Sequence, residues 1–130
     1  MSTLKKILHV DDDQDIRTIT QMSLEMVGGF TLKQCASGKE ALAVAPQFGP
    51  DLLLLDVMMP EMSGEELWHK LMQDPQLAGT PVIFMTAKVE RNFLSHLRLD
   101  GALAIVEKPF DPMDLSQQIS EAWNAHLKAA

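Results

Sequence analysis

Three aspartates follow two short apolar runs, and their placement predicts a shared acidic site. Asp11 and Asp12 come directly after the run Ile7–Val10, and Asp56 comes directly after Leu52–Leu55. A short continuous apolar run is typical of a strand buried on both faces of a parallel sheet. In open α/β sheets the ligand crevice lies beyond the carboxyl ends of the strands. If the two runs are neighbouring strands, the three carboxylates meet at that crevice.

Three unpaired carboxylates in one crevice would repel one another, which raises their pKa values and opposes full ionisation. A hard divalent cation with oxygen ligands removes this conflict. The sequence therefore predicts a Mg²⁺ site, with Mn²⁺ as the alternative ion, at this end of the sheet.

The rest of the chain predicts the elements that position these acids. Apolar strand candidates alternate with stretches of helical period, and helix starts carry capping signals such as Ser63-x-x-Glu66 and Asp111-Pro112. The predicted strands are Leu4–Val10, Phe30–Cys35, Leu52–Leu55, Val82–Met85 and Ala102–Val106. This alternation indicates a parallel sheet covered by helices on both faces. We therefore predict a single doubly wound α/β domain over residues 1–130.

Two apolar stripes at helical spacing predict the first and fourth helices. The first stripe stops at Gly28-Gly29, a pair typical of a helix end, and consists of Ile16, Ile19, Met26 and Val27. The second stripe precedes Gly101 and consists of Val89, Phe93 and Leu97.

Composition restricts the classes of partner and compartment. The net charge of −7 and the pI near 4.9 argue against binding to nucleic acid or to an anionic membrane. Cys35 is the only cysteine, so neither an intrachain disulfide nor a cysteine-based zinc site can form. No apolar run approaches the ~20 residues of a membrane span. The run after Lys5-Lys6 is too short for a signal peptide, so we expect a cytoplasmic protein.

Four motifs in chain order resemble those of the receiver domain of two-component response regulators, in particular single-domain chemotaxis receivers. Each lies at the carboxyl end of a strand candidate, and the resemblance covers essentially the whole chain. The motifs are Val10-Asp11-Asp12-Asp13, Leu55-Asp56-Val57-Met58-Met59-Pro60-Glu61-Met62-Ser63-Gly64, Met85-Thr86-Ala87 and Glu107-Lys108-Pro109-Phe110. The resemblance implies a flavodoxin-like (βα)5 fold with strand order 2-1-3-4-5.

The resemblance implies that Asp56 is a phosphoacceptor. A carboxylate is a competent nucleophile toward a phosphoryl donor and would form an aspartyl phosphate. By the same resemblance, Asp12, Asp56 and the backbone carbonyl of Met58 would hold Mg²⁺, and Asp11 would bind it through water. The domain would assist its own phosphorylation and dephosphorylation without being an enzyme in the usual sense.

Three further groups are implied to stabilise the phosphoryl oxygens. Lys108 would supply a compact positive charge, and the Thr86 hydroxyl and the Ala87 backbone N–H would supply hydrogen-bond donors. The three aspartates carry a formal charge of −3, which Mg²⁺ and Lys108 offset to zero. Phosphorylation would leave −1 for the remaining donors.

Three positions depart from the family pattern or vary within it. Many receivers carry an aromatic residue three positions before the lysine, where its ring couples to the hydroxyl of the Thr86 position, but this chain has Ile105. We therefore expect switching by closure of the loop from Thr86 to Lys88, without a ring flip. Met58 and Lys88 occupy positions that tune the lifetime of the phosphoryl group in the family, and both side chains could hinder the attacking water.

The resemblance also implies partners. The phosphodonor would be a sensor histidine kinase or a histidine phosphotransfer protein. The output would be a downstream protein target or a homodimer, bound through the surface of the helix containing Val89–Leu97, the Ala102–Val106 strand and the last helix, where we expect Trp123. No nucleic-acid or membrane partner is expected. No output domain is expected after the last helix; the alternative is a receiver excised from a hybrid kinase or a transcriptional regulator.

Three other protein classes fit the sequence less well. A haloacid-dehalogenase-like phosphatase needs a second aspartate two residues after the first, where this chain has Met58. A flavodoxin-like carrier needs a donor-rich loop after the first strand, and Asp11-Asp12-Asp13 would repel the flavin phosphate. A DNA-binding regulator would need an output domain, and we expect none after the last helix.

Overall fold

The chain folds around a five-stranded parallel sheet with strand order β2-β1-β3-β4-β5. The computed structural model describes residues 3–87 and 96–129. The strands are β1 (Lys6–Val10), β2 (Thr31–Cys35), β3 (Leu52–Asp56), β4 (Val82–Ala87) and β5 (Ala104–Lys108). The predicted fold class and strand order are confirmed, and each predicted strand is present with its bounds shifted by at most two residues.

Helices follow the strands in the predicted order. They are α1 (Gln14–Gln21), which continues as a π-helical segment Met22–Val27, α2 (Gly38–Phe48), α3 (Gly64–Met72), α4 (His96–Leu99) and α5 (Pro112–Ala129). Of the predicted fourth-helix stripe, Leu97 is fully buried, whereas Val89 and Phe93 lie outside the described residues.

The sheet separates two apolar layers, and β3 is buried along its whole length. One layer contains Leu53, Leu55 and Phe84 with side chains of α2 and α3. The other contains Leu54 and Met85 with side chains of α5 and the π-helical segment. This double coverage explains why the strands read as continuous apolar runs.

The apolar stripe of the first helix is not its buried face. The helix stops before Gly28-Gly29, as predicted, but Ile19 and Met26 are 37% and 79% exposed, while Thr20 and Ser23 are fully buried. The π-helical segment packs against α5, and a Cβ at Gly28 would lie only 2.9 Å from Ser116 Cβ. This close approach favours small residues at the interface and turns the larger apolar side chains outward.

The position of Trp123 is a correction. We expected it on the output face, but its side chain is 7% exposed and belongs to the core layer beneath α5. An indole ring buries a large apolar area, so the sheet side of α5 is the favoured position for it.

Side chains cap the helix starts that face the carboxyl edge of the sheet. The Asp13 carboxylate accepts from the backbone N–H groups of Asp15 and Ile16 at the start of α1. Ser63 and Glu66 form the predicted capping box of α3. The Asp111 carboxylate accepts from the Met113 N–H at 2.9 Å at the start of α5. These caps fix the loops that surround the acidic cleft.

Candidate functional site

The register of the sheet brings the predicted acids together. Val10 of β1 lies opposite Leu55 of β3, so the residues that follow them, Asp11 and Asp56, end side by side. Carboxylate oxygens of Asp11, Asp12 and Asp56 lie within 4.8 Å of one another. They line an open cleft of about 220 Å³ at the carboxyl edge of the sheet, as predicted.

The three acids differ in their exposure. Asp11 is fully buried and Asp56 is 5% exposed, whereas Asp12 is exposed. One Asp11 oxygen, Oδ1, accepts from the Asp13 N–H at 2.9 Å. Two buried carboxylates therefore form the floor of the cleft, and one solvated carboxylate stands at its rim.

Lys108 extends from the end of β5 and contacts both buried carboxylates. Its Nζ donates to Asp56 Oδ1 at 2.7 Å and lies 2.9 Å from Asp11 Oδ2. The second contact is an ion pair without hydrogen-bond alignment, because Asp11 Oδ2 has no aligned donor among the described residues. The Lys108–Pro109 peptide bond is cis.

Burial and neighbouring charges shift the pKa values of this cluster. Burial, assisted by the charges of Asp11 and Asp12, raises the pKa of Asp56 to about 6 against the lowering effect of Lys108. Burial by itself would lower the pKa of Lys108, but its contacts with Asp56 and Asp11 outweigh it and raise that pKa. At neutral pH the cleft thus holds a desolvated carboxylate next to a firmly charged ammonium.

A polar chain behind the cleft fixes the end of β1. His9 lies opposite Gln34 in the sheet, and Gln34 Nε2 is 3.1 Å from His9 Nδ1 and donates to the Arg17 carbonyl at 2.8 Å. Arg17 Nη1 in turn donates to the Asp11 carbonyl at 2.8 Å. Burial, with the charges of Lys108 and Arg17, lowers the pKa of His9 to about 3, so this imidazole stays neutral. It is a packed core residue.

Sequence analysis missed the parts that Arg17 and Gln34 play in this chain. Gln34 reaches the polar chain because β1 pairs with β2, and Arg17 reaches it because of the direction of α1. No local sequence motif marks either residue. The one available signal was the position of Arg17 one turn after the Asp13 cap.

Gly64 holds the start of α3 against the end of β3. Its N–H donates to the Val57 carbonyl at 2.9 Å, and a Cβ at this position would clash with the Asp56 carbonyl oxygen. Only glycine fits so close an approach without displacing the strand end. The loop that follows Asp56 is therefore anchored at both ends.

The donor set fits a hard divalent cation. It consists of carboxylate oxygens from three residues, and the buried Asp11 Oδ2 keeps a lone pair that no aligned donor from the described residues uses. Met58 also lines the cleft. Oxygen-rich sites of this kind suit Mg²⁺ or Mn²⁺.

The remaining predicted site residues lie in different surroundings. Ala87 lines the cleft, whereas Thr86 is buried and its hydroxyl donates to the Ala87 carbonyl at 3.3 Å. Ile105 is half-buried and lies opposite Phe84 of β4. Lys88 lies outside the described residues.

Comparison with known proteins identifies the family. The family model for the response regulator receiver domain matches residues 7–120. The chain is a response regulator receiver domain. This assignment confirms the resemblance drawn from the four motifs, and it makes the chain part of the signalling proteins of two-component systems.

Several curated response regulators resemble this receiver over most of its length. It is 39% identical over 116 residues to the alkaline phosphatase synthesis transcriptional regulatory protein of Bacillus subtilis, covering 88% of the chain and 47% of the relative. It is 39% identical over 112 residues to the phosphate regulon transcriptional regulatory protein of Pseudomonas aeruginosa, covering 85% and 48%. The receiver thus spans about half the length of these relatives.

Solved structures match nearly end to end. A chemotaxis response regulator of Vibrio cholerae superposes with a TM-score of 0.82 at 30% identity, covering 92% of this receiver and 99% of that chain. A chemotaxis-like receiver domain of Methanospirillum hungatei gives a TM-score of 0.79 at 33% identity, covering 98% of this receiver and 100% of that chain.

Receivers interact with histidine kinases and downstream targets and typically bind Mg²⁺ in an acidic pocket. Among the described helices of this receiver, none is long and apolar enough to cross a membrane.

Proposed function

We propose that Asp56 accepts a phosphoryl group from a phosphohistidine of a sensor kinase or a histidine phosphotransfer protein. The observation that supports this role is the Lys108 ammonium, which lies between Asp56 and Asp11 at 2.7 and 2.9 Å. A nucleophile with a permanent cation at contact distance is the arrangement that phosphoryl transfer requires, because negative charge accumulates on the transferred oxygens.

Each group of the cleft has a part in this reaction. An oxygen of the Asp56 carboxylate attacks phosphorus, the phosphorus–nitrogen bond of the donor breaks, and its electron pair stays on the donor's imidazole, which leaves as neutral histidine after taking one proton from solvent. Lys108 then neutralises a phosphoryl oxygen, and the Ala87 backbone N–H donates to another. The Thr86 hydroxyl has to leave its present acceptor, the Ala87 carbonyl, in order to reach the phosphoryl group.

The carboxylates of Asp11, Asp12 and Asp56 and the Met58 carbonyl would hold Mg²⁺, with Asp11 acting through water. When bound, this ion supplies positive charge that offsets the negative charge of the carboxylates and of the phosphoryl group. Asp11, whose backbone is held by Arg17, keeps the opposite wall of the cleft in place.

The test is phosphorylation by acetyl phosphate in Mg²⁺, followed by intact mass and peptide mapping. We expect a single phosphate adduct on Asp56, and no adduct on Asp56→Asn or in the presence of a chelator. Asp51→Asn is the matched control because Asp51 lies just before the opposite end of the same strand. A full adduct on Asp56→Asn would contradict the assignment.

We propose that the phosphorylated state is transmitted through α4, β5 and α5. Thr86 and Ala87 of β4 pair with Glu107 and Lys108 of β5, so a movement at the cleft reaches both strands. Ile105 packs against the core without an aromatic ring, which leaves closure of the loop after Thr86 as the switching motion. A downstream protein or a second receiver would bind this surface.

Amide NMR spectra with and without beryllofluoride and Mg²⁺ test the output surface. Beryllofluoride stands in for the phosphoryl group on Asp56. We expect chemical-shift changes in His96–Leu99 and Ala104–Lys108, with the distal half of α2 as the internal reference. Changes confined to the loop after Asp56 would show that the output lies elsewhere.

Two further residues are proposed to set the lifetime of the phosphoryl group. The Met58 side chain is 62% exposed beside the cleft, where a thioether chain shields the phosphorus from water. Lys88 follows Ala87 in the sequence and is assigned to the same task from the family pattern.

A further inference from the structure

A second cluster of ligand-type side chains lies between α3 and α4, on different residues from those of the acidic cleft. It contains Glu65 from the first turn of α3, and His96 and Asp100 from α4 and the turn that follows it. One ligand atom from each residue lies within 4.8 Å of the others. Transition metals bind a donor set of imidazole and carboxylate more readily than Mg²⁺ does.

The backbone of α4 presents two of these ligands on one side. The Asp100 N–H donates to the His96 carbonyl at 2.9 Å, so the two residues are one helical turn apart. Residues at this spacing project in the same direction. Glu65 approaches them from α3, and the three side chains converge.

The contact between His96 and Glu65 is a long hydrogen bond whose length also fits a pair of metal ligands. His96 Nε2 is 3.3 Å from Glu65 Oε2 and 3.4 Å from Oε1. These distances exceed the usual range of about 2.7–3.2 Å for an N–H···O hydrogen bond. Two ligands at about 2.0–2.1 Å from a tetrahedral Zn²⁺ are about 3.3–3.4 Å apart, which matches the observed separation.

The charges of the cluster are also suited to a cation. Within residues 3–87 and 96–129, neither Glu65 nor Asp100 pairs with a lysine or an arginine, and the partners of Glu65 are the imidazoles of His96 and His69. His69 Nε2 lies 3.8 Å from Glu65 Oε2. A second imidazole therefore stands beside the carboxylate, in the outer shell that orients metal ligands.

We propose that Glu65, His96 and Asp100 bind a divalent transition metal of the Zn²⁺ type, at a site separate from the acidic cleft. The ion ties the start of α3, which is anchored to the end of β3 by Gly64, to α4. Water completes the coordination at this open position, since the Glu65 and His96 side chains are 32% and 48% exposed.

Calorimetric titration of the full chain with Zn²⁺ in excess Mg²⁺ tests the site. We expect binding of one Zn²⁺, weakened about tenfold or more in His96→Gln and in Asp100→Asn. His126→Gln, the same substitution at an exposed histidine on α5, should bind Zn²⁺ like the parent. Equal affinity in the parent and in both site variants would overturn the proposal.

One further variant and one measurement on the parent chain separate this site from the acidic cleft. Asp12→Asn removes a carboxylate from the cleft and should leave Zn²⁺ affinity unchanged. If Zn²⁺ binding were lost in Asp12→Asn and retained in His96→Gln, the ion would lie in the cleft. Imidazole NMR of the unmodified chain requires no variant to fold. Zn²⁺ should shift the His96 resonances and leave those of His126 in place, and equal shifts at both would refute the site.

Discussion

Asp56 should destabilise the metal-free protein at neutral pH. Its pKa is raised from 3.8 to about 6, mainly by burial, so between these values the native state holds a proton that the unfolded chain has lost. The free energy of unfolding therefore falls as pH rises through this interval. Above about pH 6 the full cost of the desolvated charge is present.

The size of the effect follows from the shift. A pKa unit corresponds to about 1.4 kcal/mol, so the change from 3.8 to about 6 is equivalent to about 3 kcal/mol. Asp56→Asn removes this charge, although it also replaces the strong acceptor of Lys108, which retains Asp11 at 2.9 Å. We expect the variant to be more stable than the parent by about 1–3 kcal/mol at pH 8, and by close to zero near pH 4.

Urea unfolding in the presence of a chelator, at a series of pH values from 4 to 8, measures this difference. Asp114→Asn is the matched control because it removes an exposed carboxylate from the first turn of α5, where a change within about 0.5 kcal/mol is usual. If Asp56→Asn were less stable than the parent at pH 8, or if its advantage did not change with pH, burial would not be the source of the shift.

Two other predictions concern the same edge of the sheet. Mg²⁺ should raise the melting temperature by binding the native state, and Asp12→Ala should abolish this rise while leaving the metal-free protein at least as stable; Mg²⁺ binding equal to that of the parent would contradict the ligand assignment. Gly64→Ala should lower the free energy of unfolding by about 1–3 kcal/mol, because its methyl group meets the Asp56 carbonyl. Gly38→Ala, whose methyl group meets the flexible Met62 side chain, should cost less in the same urea assay, and an equal loss would refute the reasoning.

The positions of the acids were predictable because strand ends are encoded locally. A run such as Leu52–Leu55 can be buried on both faces only in a covered parallel sheet, and a polar residue directly after it marks the carboxyl edge. The same reasoning placed Asp11 and Asp56 together. Their approach required only that β1 and β3 be neighbours, and the family resemblance supplied that order.

The contacts of Lys108 with two acids were beyond the sequence. Its side chain reaches past β4 to Asp56, and that reach depends on the twist and stagger of the strands. For a related reason, apolar spacing did not show which face of the first helix is buried: Ile19 and Met26 are exposed, whereas the close approach of α5 favours the burial of Thr20 and Ser23. Apolar spacing shows which residues share a helix face, but the distance to the neighbouring element decides which face is buried.

Cys35 lies at the end of β2 and packs in the core layer formed with α2 and α3. It is 1% exposed, and burial raises its pKa to about 11. At neutral pH the thiol is therefore protonated and inaccessible, so reagents that require a thiolate will not react with it. The native chain offers a silent background for labelling: a cysteine introduced at Met26, which is 79% exposed, would be the single reactive thiol. Spectroscopic probes can thus be attached to chosen helices without first removing the native cysteine.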